Sequence, residues 1–143
     1  MRKRAHRRLD ACFDKAARKH SKRTAVLYDD GDESRSLTYL QVSQLALEVA
    51  AGILLSGAPP KTVPCLCRKS LYTVPAILGI LKASCSFAFL DVERSVESLQ
   101  NLQESIPVSL LLADEVLYNQ KASIIRAVRN NKTKKMKAVY NSL

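Results

Sequence analysis

The stretch from Leu71 to Asp91, LYTVPAILGILKASCSFAFLD, constrains the fold of this chain more than any other. Its first half repeats apolar residues at the spacing of a helix face, which predicts a helix near residues 70–83. Its second half, residues 85–90, is almost continuously apolar, which is typical of a strand buried on both faces. A buried strand directly after an apolar helix favours a parallel sheet that is covered by helices.

The ends of this predicted helix carry specific signals. Ser70 or Thr73 is a suitable N-terminal cap, because a hydroxyl oxygen can accept from the free backbone N–H groups of the first turn. Pro75 is compatible with a helix only in that first turn. Near the other end, Leu81 is expected to be buried against the sheet.

Helices and strands alternate over most of the chain. Apolar residues at helical spacing predict a first helix whose apolar face comprises Leu9, Cys12, Phe13, Ala16, Ala17 and His20. The further predicted elements are a hairpin of residues 24–28 and 34–37, strands at 63–67 and 108–113, and helices at 96–106 and 115–128. Pro64, which cannot donate to a ladder, is expected at the start of its strand or on an edge strand.

The second helix has the most complete signals. Thr38 and Gln41 form a capping-box pair at its start, and Leu37 and Val42 occupy the two positions of a hydrophobic staple. Gly57 suits the left-handed position after the helix, and the two prolines that follow prevent its continuation. The predicted buried stripe comprises Leu45, Val49, Ile53 and Leu54.

Strand, helix, strand, helix and strand in succession imply right-handed crossovers within one sheet. We therefore predict a three-layer α/β fold with a mostly parallel sheet and helices on both faces. The domain organisation is expected to be a basic tail at 1–7, a folded unit at 8–118, and a basic helical or disordered tail at 119–143, with 130–137 disordered.

The charge is concentrated at the two ends of the chain. Residues 1–23 contain ten Lys and Arg against two Asp, and residues 119–143 contain seven Lys and Arg and no acid. Residues 24–118 contain six basic and eleven acidic residues, so the folded centre is mildly acidic. Basic ends can bind phosphates. No nucleic-acid-binding motif is present, and solvated tails are the favoured interpretation.

The sequence shows neither a secretory signal nor a membrane span. We therefore expect a cytoplasmic protein with reduced cysteines, and the basic start of the chain leaves a mitochondrial location as the alternative. Cys65 and Cys67 would share one strand face. Without a second ligand pair, buried structural thiols are favoured over a zinc site.

Other polar groups have structural interpretations. His20 is expected to end the first helix, where a cationic side chain favours the dipole. The acidic run Asp29, Asp30, Asp32 and Glu33 lacks calcium-loop spacing and is interpreted as a solvated turn. From the residues alone we assign no catalytic, cofactor-binding or metal-binding residue.

Three short segments resemble the N-terminal part of the adenylate-forming synthetases, the superfamily of acyl-CoA synthetases and nonribosomal adenylation domains. These segments are Leu37-Thr38-Tyr39, Ile80-Leu81-Lys82-Ala83 and Leu90-Asp91. The resemblance covers roughly residues 8–118. The sequence of residues 77–81 is also similar to that of the beta-alanine-activating (aminoadipate-semialdehyde dehydrogenase-like) subgroup. The fold it implies is a partial N-terminal subdomain of an adenylation domain.

The sequence departs from the family pattern at three positions. Ser84 stands where the family has a glycine, and Phe89 and Val92 stand where it has prolines. The family's ATP-binding loop, adenine and Mg²⁺ contacts and catalytic lysine lie further along than this sequence extends. The resemblance therefore implies the scaffold of an ATP- and Mg²⁺-dependent enzyme without its cofactor-binding residues.

We accordingly expect an N-terminal portion of an AMP-forming acyl or amino-acid ligase that is itself inactive. Its expected partner is the remainder of the adenylation domain, and exposed apolar surface would favour self-association. Two alternatives remain: a non-catalytic interaction module, and a small basic nucleic-acid-associated protein.

Overall fold

The computed structural model describes residues 8–57, 61–91, 93–105, 110–114 and 137–141. In chain order the elements are α1 (Leu9–His20), β1 (Thr24–Asp29), β2 (Ser34–Thr38), α2 (Tyr39–Leu55), β3 (Thr62–Leu66), α3 (Thr73–Lys82), β4 (Ser86–Phe89), α4 (Ser95–Ser105), β5 (Leu110–Asp114) and β6 (Lys137–Asn141). The helix predicted at 115–128 lies outside the described residues.

The main sheet has the strand order β4-β3-β5-β6, and each neighbouring pair is parallel. Successive side chains of a strand point to opposite faces. Val63 and Cys65 on one face of β3, and Pro64 and Leu66 on the other, are all buried, so both faces of this strand are covered. The prediction of an α/β fold with a parallel sheet is therefore confirmed.

The connections across the sheet run in two directions. The chain passes from β3 to β4 on one side, and then from β4 back across β3 to β5 on the other. Such connections are right-handed in nearly all proteins, and right-handed crossovers in opposite directions would place α3 and α4 on opposite faces of the sheet. The β1–β2 hairpin is antiparallel and forms a separate two-stranded sheet, as predicted.

One core cluster of the described residues lies between α2, α3 and one face of the sheet. Its buried members are Val49, Ala50, Ile53, Val63, Cys65, Ala76, Ile80, Ala83, Cys85, Leu110 and Leu112. A second cluster joins the hairpin to the helices through Leu37, Val42, Ala46, Leu71 and Leu78. The two helices therefore pack on each other as well as on the sheet.

The start of α2 is built as predicted. Gln41 N–H donates to Thr38 Oγ1 at 3.2 Å, and Thr38 N–H donates to Gln41 Oε1 at 2.8 Å, which completes the capping box. Leu37 and Val42 are buried in the same cluster. The predicted stripe is wrong at Leu54, which is 52% exposed, because this residue lies on the outer side of the helix.

The buried face of α1 differs from the prediction. Leu9 and Cys12 are exposed, whereas Asp10 and Ala17 are buried. Asp10 receives two hydrogen bonds from the guanidinium of Arg8, at 3.1 and 2.9 Å. The buried carboxylate therefore has the hydrogen-bond partners that a buried charge requires, and α1 is rotated away from the apolar face that its sequence suggests.

Two expectations for α3 need correction. Tyr72 is the N-terminal cap residue and makes no side-chain capping bond, whereas Ser70 and Thr73 hydrogen-bond within the preceding loop. Pro75 does lie in the first turn and is buried, as predicted. Leu81 is half-buried rather than buried, because the core contact is made by its neighbour Ile80.

The end of α3 contains a residue in the left-handed region. Ser84 has a φ of 60°, and its N–H donates to the carbonyl of Leu81 at 3.0 Å. Cys85 N–H donates to the carbonyl of Ile80 at 3.1 Å. These two bonds form a Schellman motif, in which glycine is the usual residue at the position that Ser84 occupies.

The strand β4 is not buried on both faces. It lies at one end of the strand order, and Ser86, Phe87 and Phe89 are exposed while the flanking Cys85 and Leu90 are buried. The strand predicted at residues 85–90 is confirmed, but its burial on both faces is not. A strand at the end of a sheet, however, has fewer neighbours to cover its side chains.

Pro64 lies on an interior strand, which corrects the expectation of an edge. Ser86 N–H donates to Lys61 O and Leu90 N–H donates to Cys65 O, so alternate residues of β3 face β4. Pro64 therefore faces β5, whose pairing with β3 begins only at Cys65. The proline is tolerated because its missing N–H falls where this ladder starts.

The predicted helical or disordered tail is wrong for five residues. Lys137–Asn141 form β6, which pairs in parallel with the whole of β5. Single-sequence patterning missed this strand because the basic run before it suggested a solvated tail. The rest of the expected tail, residues 119–136 and 142–143, lies outside the described residues.

Candidate functional site

The carboxyl ends of the parallel strands form the candidate site. Cys67 and Arg68 follow β3, Leu90 and Asp91 follow β4, and Asp114 ends β5. In open parallel sheets, ligands bind outside these ends where consecutive connections leave in opposite directions. Here that point lies between β3 and β5, because the chain leaves β3 towards β4 on one side and leaves β5 towards β6 on the other. We refer to the carboxyl ends of these strands as the carboxyl edge.

The loop at the carboxyl edge is folded by its own hydroxyl groups. Ser70 N–H donates to Thr73 Oγ1 at 3.0 Å, and Tyr72 N–H donates to Ser70 Oγ at 3.2 Å. Thr73 Oγ1 in turn donates to the carbonyl of Arg68 at 3.4 Å. These bonds fix the path from β3 into α3 and hold the backbone of Arg68 beside the start of that helix.

The carboxylate of Asp91 also serves the backbone. Its Oδ1 accepts from Glu93 N–H at 2.9 Å, in a turn that leads towards α4. The side chain is exposed. Asp91 therefore shapes the turn that follows β4. It lies between Phe89 and Val92, the two positions at which the family pattern has prolines.

The two buried thiols of the core, Cys65 and Cys85, are poor nucleophiles. Burial, and then the neighbouring Cys67, raise the pKa of Cys65 to about 12. Burial also raises the pKa of Cys85. Since the thiolate is the reactive form of cysteine, these two residues are core side chains at neutral pH. Cys67 is half-buried, with its Sγ 3.9 Å from the carbonyl oxygen of Leu112.

The acidic run at the end of β1 forms a turn in which two of its carboxylates accept hydrogen bonds from the backbone. Asp29 Oδ1 accepts from Gly31 N–H at 2.9 Å. Asp30 Oδ1 accepts from Glu33 N–H at 2.8 Å and from Asp32 N–H at 3.1 Å, and these bonds lower the pKa of Asp30. The run forms a hairpin turn, as predicted. Among the described residues, no group of three or more His, Cys, Asp or Glu is placed to hold a metal ion.

His20 ends α1, as predicted, and its ring lies 6.4 Å from that of Tyr39. A shallow cleft of ≈ 240 Å³ lies elsewhere, between the outer side of α2 and the start of α3. It is lined by Leu37, Gln41, Gln44, Leu45, Glu48 and Tyr72. This cleft is separate from the buried cysteines and from the acidic turn.

The four glycines of the chain lie either in turns or within helices. Gly31 and Gly57 have positive φ angles in the hairpin turn and after α2, and Gly52 lies within α2. Gly79 lies against α2, where a Cβ would be 2.5 Å from Val49 Cβ. A loop that wraps phosphates needs clustered backbone N–H groups, usually supplied by neighbouring glycines. The glycines present do not fit an ATP-binding loop.

Sequence reasoning assigned no site residue and did not single out the carboxyl edge. Cys67 entered the sequence analysis only as one of two thiols on a strand face. The available signal was the parallel order of the strands, which brings their carboxyl ends to one edge of the sheet. No helix in the described part of the chain is long and apolar enough to cross a bilayer.

Comparison with known proteins gives matches over most of the chain. The family described as AMP-binding enzyme matches residues 13–142. Nonribosomal peptide synthetase 13 of Aspergillus fumigatus is 31% identical over 116 residues, which cover 78% of this chain and 5% of that one. Nonribosomal peptide synthetase nlsA of Emericella nidulans is 32% identical over 114 residues, covering 79% of this chain and 2% of that one.

Solved structures share the fold. The fatty acid AMP ligase from Legionella pneumophila matches with a TM-score of 0.76 and 21% identity, over 92% of this chain and 23% of the ligase. The anthranilate CoA ligase AuaEII, in complex with anthranoyl-AMP, matches with a TM-score of 0.74 and 17% identity, over 92% of this chain and 24% of that one.

The parallel sheet and these likenesses define the scaffold of the adenylate-forming enzymes. The chain belongs to the family described as AMP-binding enzyme. It spans 5% or less of the length of the two curated relatives and about a quarter of the two solved ligases. The family match reaches residue 142, beyond the predicted boundary at 118.

Proposed function

We propose that this chain supplies part of the N-terminal scaffold of an AMP-forming ligase. In such a ligase a carboxylate oxygen attacks the α-phosphorus of ATP and pyrophosphate leaves. The acyl-adenylate then passes its acyl group to a thiol, and AMP leaves. The family match over residues 13–142 is the observation that carries the proposal. The narrower resemblance to the beta-alanine-activating subgroup stays a prediction.

The described residues support a scaffolding role. They form a parallel sheet, a capped α2 and a close α2–α3 contact, and these position the carboxyl edge. The glycines are used in turns and helix packing, so no reaction step is assigned to ATP or Mg²⁺ on this chain. We infer that the 143-residue chain alone does not adenylate a carboxylate.

The test is carboxylate-dependent exchange of labelled pyrophosphate into ATP. The chain is assayed with Mg²⁺ and with acetate, a long-chain fatty acid, beta-alanine and a mixture of amino acids in turn. We expect no exchange above a heat-denatured control. Saturable exchange with any of these acids would contradict the inferred inactivity.

The remainder of the ligase is the proposed partner of this scaffold. The assay is therefore repeated after adding, as a separate polypeptide, the remaining part of the adenylation domain of a relative such as nonribosomal peptide synthetase 13. Exchange that requires both polypeptides would support the scaffolding role. Absence of both binding and exchange, with both polypeptides folded, would count against it.

A non-catalytic interaction module is the second candidate, and exposed apolar side chains favour it. Leu40, Leu47 and Leu54 are each at least half exposed and follow one another along one side of α2. Contiguous exposed apolar surface commonly marks an interaction site. A folded chain that associates with a partner but shows no exchange in either assay would favour this function over the ligase scaffold.

A further inference from the structure

The side of β4 that faces away from β3 pairs with no other strand in the described part of the chain, and the pattern of its backbone groups can be worked out. On the other side, Ser86 N–H donates to Lys61 O at 2.9 Å, and Leu90 N–H donates to Cys65 O at 2.9 Å. In a parallel ladder the N–H and C=O of one residue point to the same neighbour, and consecutive residues alternate. The backbone groups of Phe87 and Phe89 therefore point away from β3.

These two residues also present their side chains on one face. Phe87 is 38% exposed and Phe89 is 45% exposed, and their ring centroids lie 5.7 Å apart in an edge-to-face arrangement. β4 is the terminal strand among those that the structure describes. It contains no proline and no charged residue, the features by which edge strands usually avoid pairing with another chain.

We propose that two copies of this chain associate through β4, in an antiparallel pair about a two-fold axis at Ala88. In this register Phe87 of each copy lies opposite Phe89 of the other. Each such pair exchanges two N–H···O=C bonds, so four main-chain hydrogen bonds form. The exposed rings also meet as cross-strand aromatic pairs, which stabilise antiparallel strands.

The occupant is a second copy because the edge is complementary to itself. The open donors and acceptors alternate at Phe87 and Phe89, and a two-fold axis at Ala88 pairs all of them without leaving one unused. A two-fold contact of this kind is closed, so it yields a dimer rather than a filament. This association is independent of the proposed ligase function.

The exposed leucines of α2 form another surface through which two copies could associate. Leu40, Leu47 and Leu54 are each at least half exposed and recur every seven residues along one side of the helix. A helix face has no free backbone groups to direct a partner, whereas the β4 edge does. The test therefore compares substitutions on the two surfaces.

The test is sedimentation equilibrium of the full chain over a range of concentrations. We expect an apparent mass that rises towards twice the monomer mass. Phe87→Lys and Phe89→Lys should abolish the rise, because they place like charges along the edge, whereas Leu47→Lys should not. Circular dichroism establishes that each variant is folded, which is expected since all three side chains are exposed.

A crosslink tests the register. In a Cys12→Ser background, Ala88→Cys places two thiols across the axis, where non-hydrogen-bonded residues have Cα atoms ~4.5 Å apart, within the range of a disulfide. We expect a covalent dimer on mild oxidation, and none from the control Ser36→Cys in the hairpin. A monomer at all concentrations, or association abolished by Leu47→Lys instead, would overturn the proposal.

Discussion

Gly79 of α3 lies so close to Val49 of α2 that a Cβ on Gly79 would be 2.5 Å from Val49 Cβ and 2.7 Å from the carbonyl oxygen of Ala46. Neither atom is the end of a flexible side chain. The two helices therefore pack at this distance only because residue 79 has no side chain.

Gly79→Ala should accordingly destabilise the chain. Overpacking costs typically about 1–3 kcal/mol, and the better helix propensity of alanine recovers roughly 1 kcal/mol of it. We expect a net loss of up to about 2 kcal/mol in the free energy of unfolding, measured by urea denaturation. Val49→Ala in the same chain should restore part of the loss; a stabilised single variant would show that the helices are further apart than described.

Ser84→Gly should stabilise the chain. Ser84 has a φ of 60°, where a residue with a Cβ costs roughly 1–2 kcal/mol and glycine does not. Glycine also makes the unfolded chain more flexible, which offsets about 0.4–1 kcal/mol. We expect a gain of about 0.5–1 kcal/mol in the urea unfolding free energy. Ser21→Gly is the matched control, because Ser21 follows α1 with a φ of −48° and should show no gain.

The ion pair between Lys82 and Asp14 should contribute measurably to stability. Lys82 Nζ lies 2.5 and 2.6 Å from the two carboxylate oxygens, and the lysine side chain is only 12% exposed. Lys82→Met should cost about 1–2 kcal/mol, between the values for exposed and buried pairs. Thermal unfolding at low and high salt measures this loss.

Arg35→Met is the control for that experiment. Arg35 pairs with Glu33 at 3.8 Å, and both side chains are largely exposed. We expect a change below about 0.5 kcal/mol. Equal effects of the two substitutions would mean that the Lys82 pair is as well solvated as the surface pair.

Ile80 and Leu81 should respond very differently to truncation. Ile80 is fully buried in the main core cluster, whereas Leu81 is half-buried. Ile80→Ala should cost about 2–4 kcal/mol, since it removes apolar contacts and leaves a cavity. Leu81→Ala should cost roughly half as much or less. A larger loss for Leu81 in urea titrations would reverse the assignment of the α3 faces.

Cys65 should make stability depend on pH above about 9. Burial raises the pKa of this thiol from 9.0 to about 12, so the unfolded chain loses the proton first. Its contribution is therefore present below pH 9 and is lost as the pH rises towards 12. Cys65→Ala should reduce the fall in unfolding free energy between pH 8 and 10. An identical pH profile in the variant would contradict the raised pKa.

The sequence predicted which segments form helices and strands better than it predicted which of their side chains are buried. The capping box at Thr38 and the alternation of apolar strands and helices are local signals, and both were confirmed. The buried Asp10 and the exposed Phe89 could not be predicted in this way. The first depends on α1 packing beside the end of α3, where the guanidinium that pairs with Asp10 also donates to the carbonyl of Leu81. The second depends on the position of β4 in the strand order.

At the candidate site, too, contacts between near neighbours could be predicted and contacts between distant segments could not. Sequence reasoning interpreted the Asp30 turn correctly because its hydrogen bonds join near neighbours. The carboxyl edge joins residues from β3, β4 and β5, which meet only through the pairing of parallel strands. The family pattern marked Ser84 as unusual, and the structure supplies the reason, a left-handed backbone that glycine adopts more easily.

Pro64 also limits how β5 can slide along β3. Because the proline faces β5 and has no N–H, a register shifted towards the start of β3 would leave one β5 carbonyl without its donor. A buried carbonyl that loses its hydrogen bond costs about 1–3 kcal/mol. A single imino acid therefore disfavours misaligned pairing and fixes how far β5 extends relative to Cys67 and Arg68.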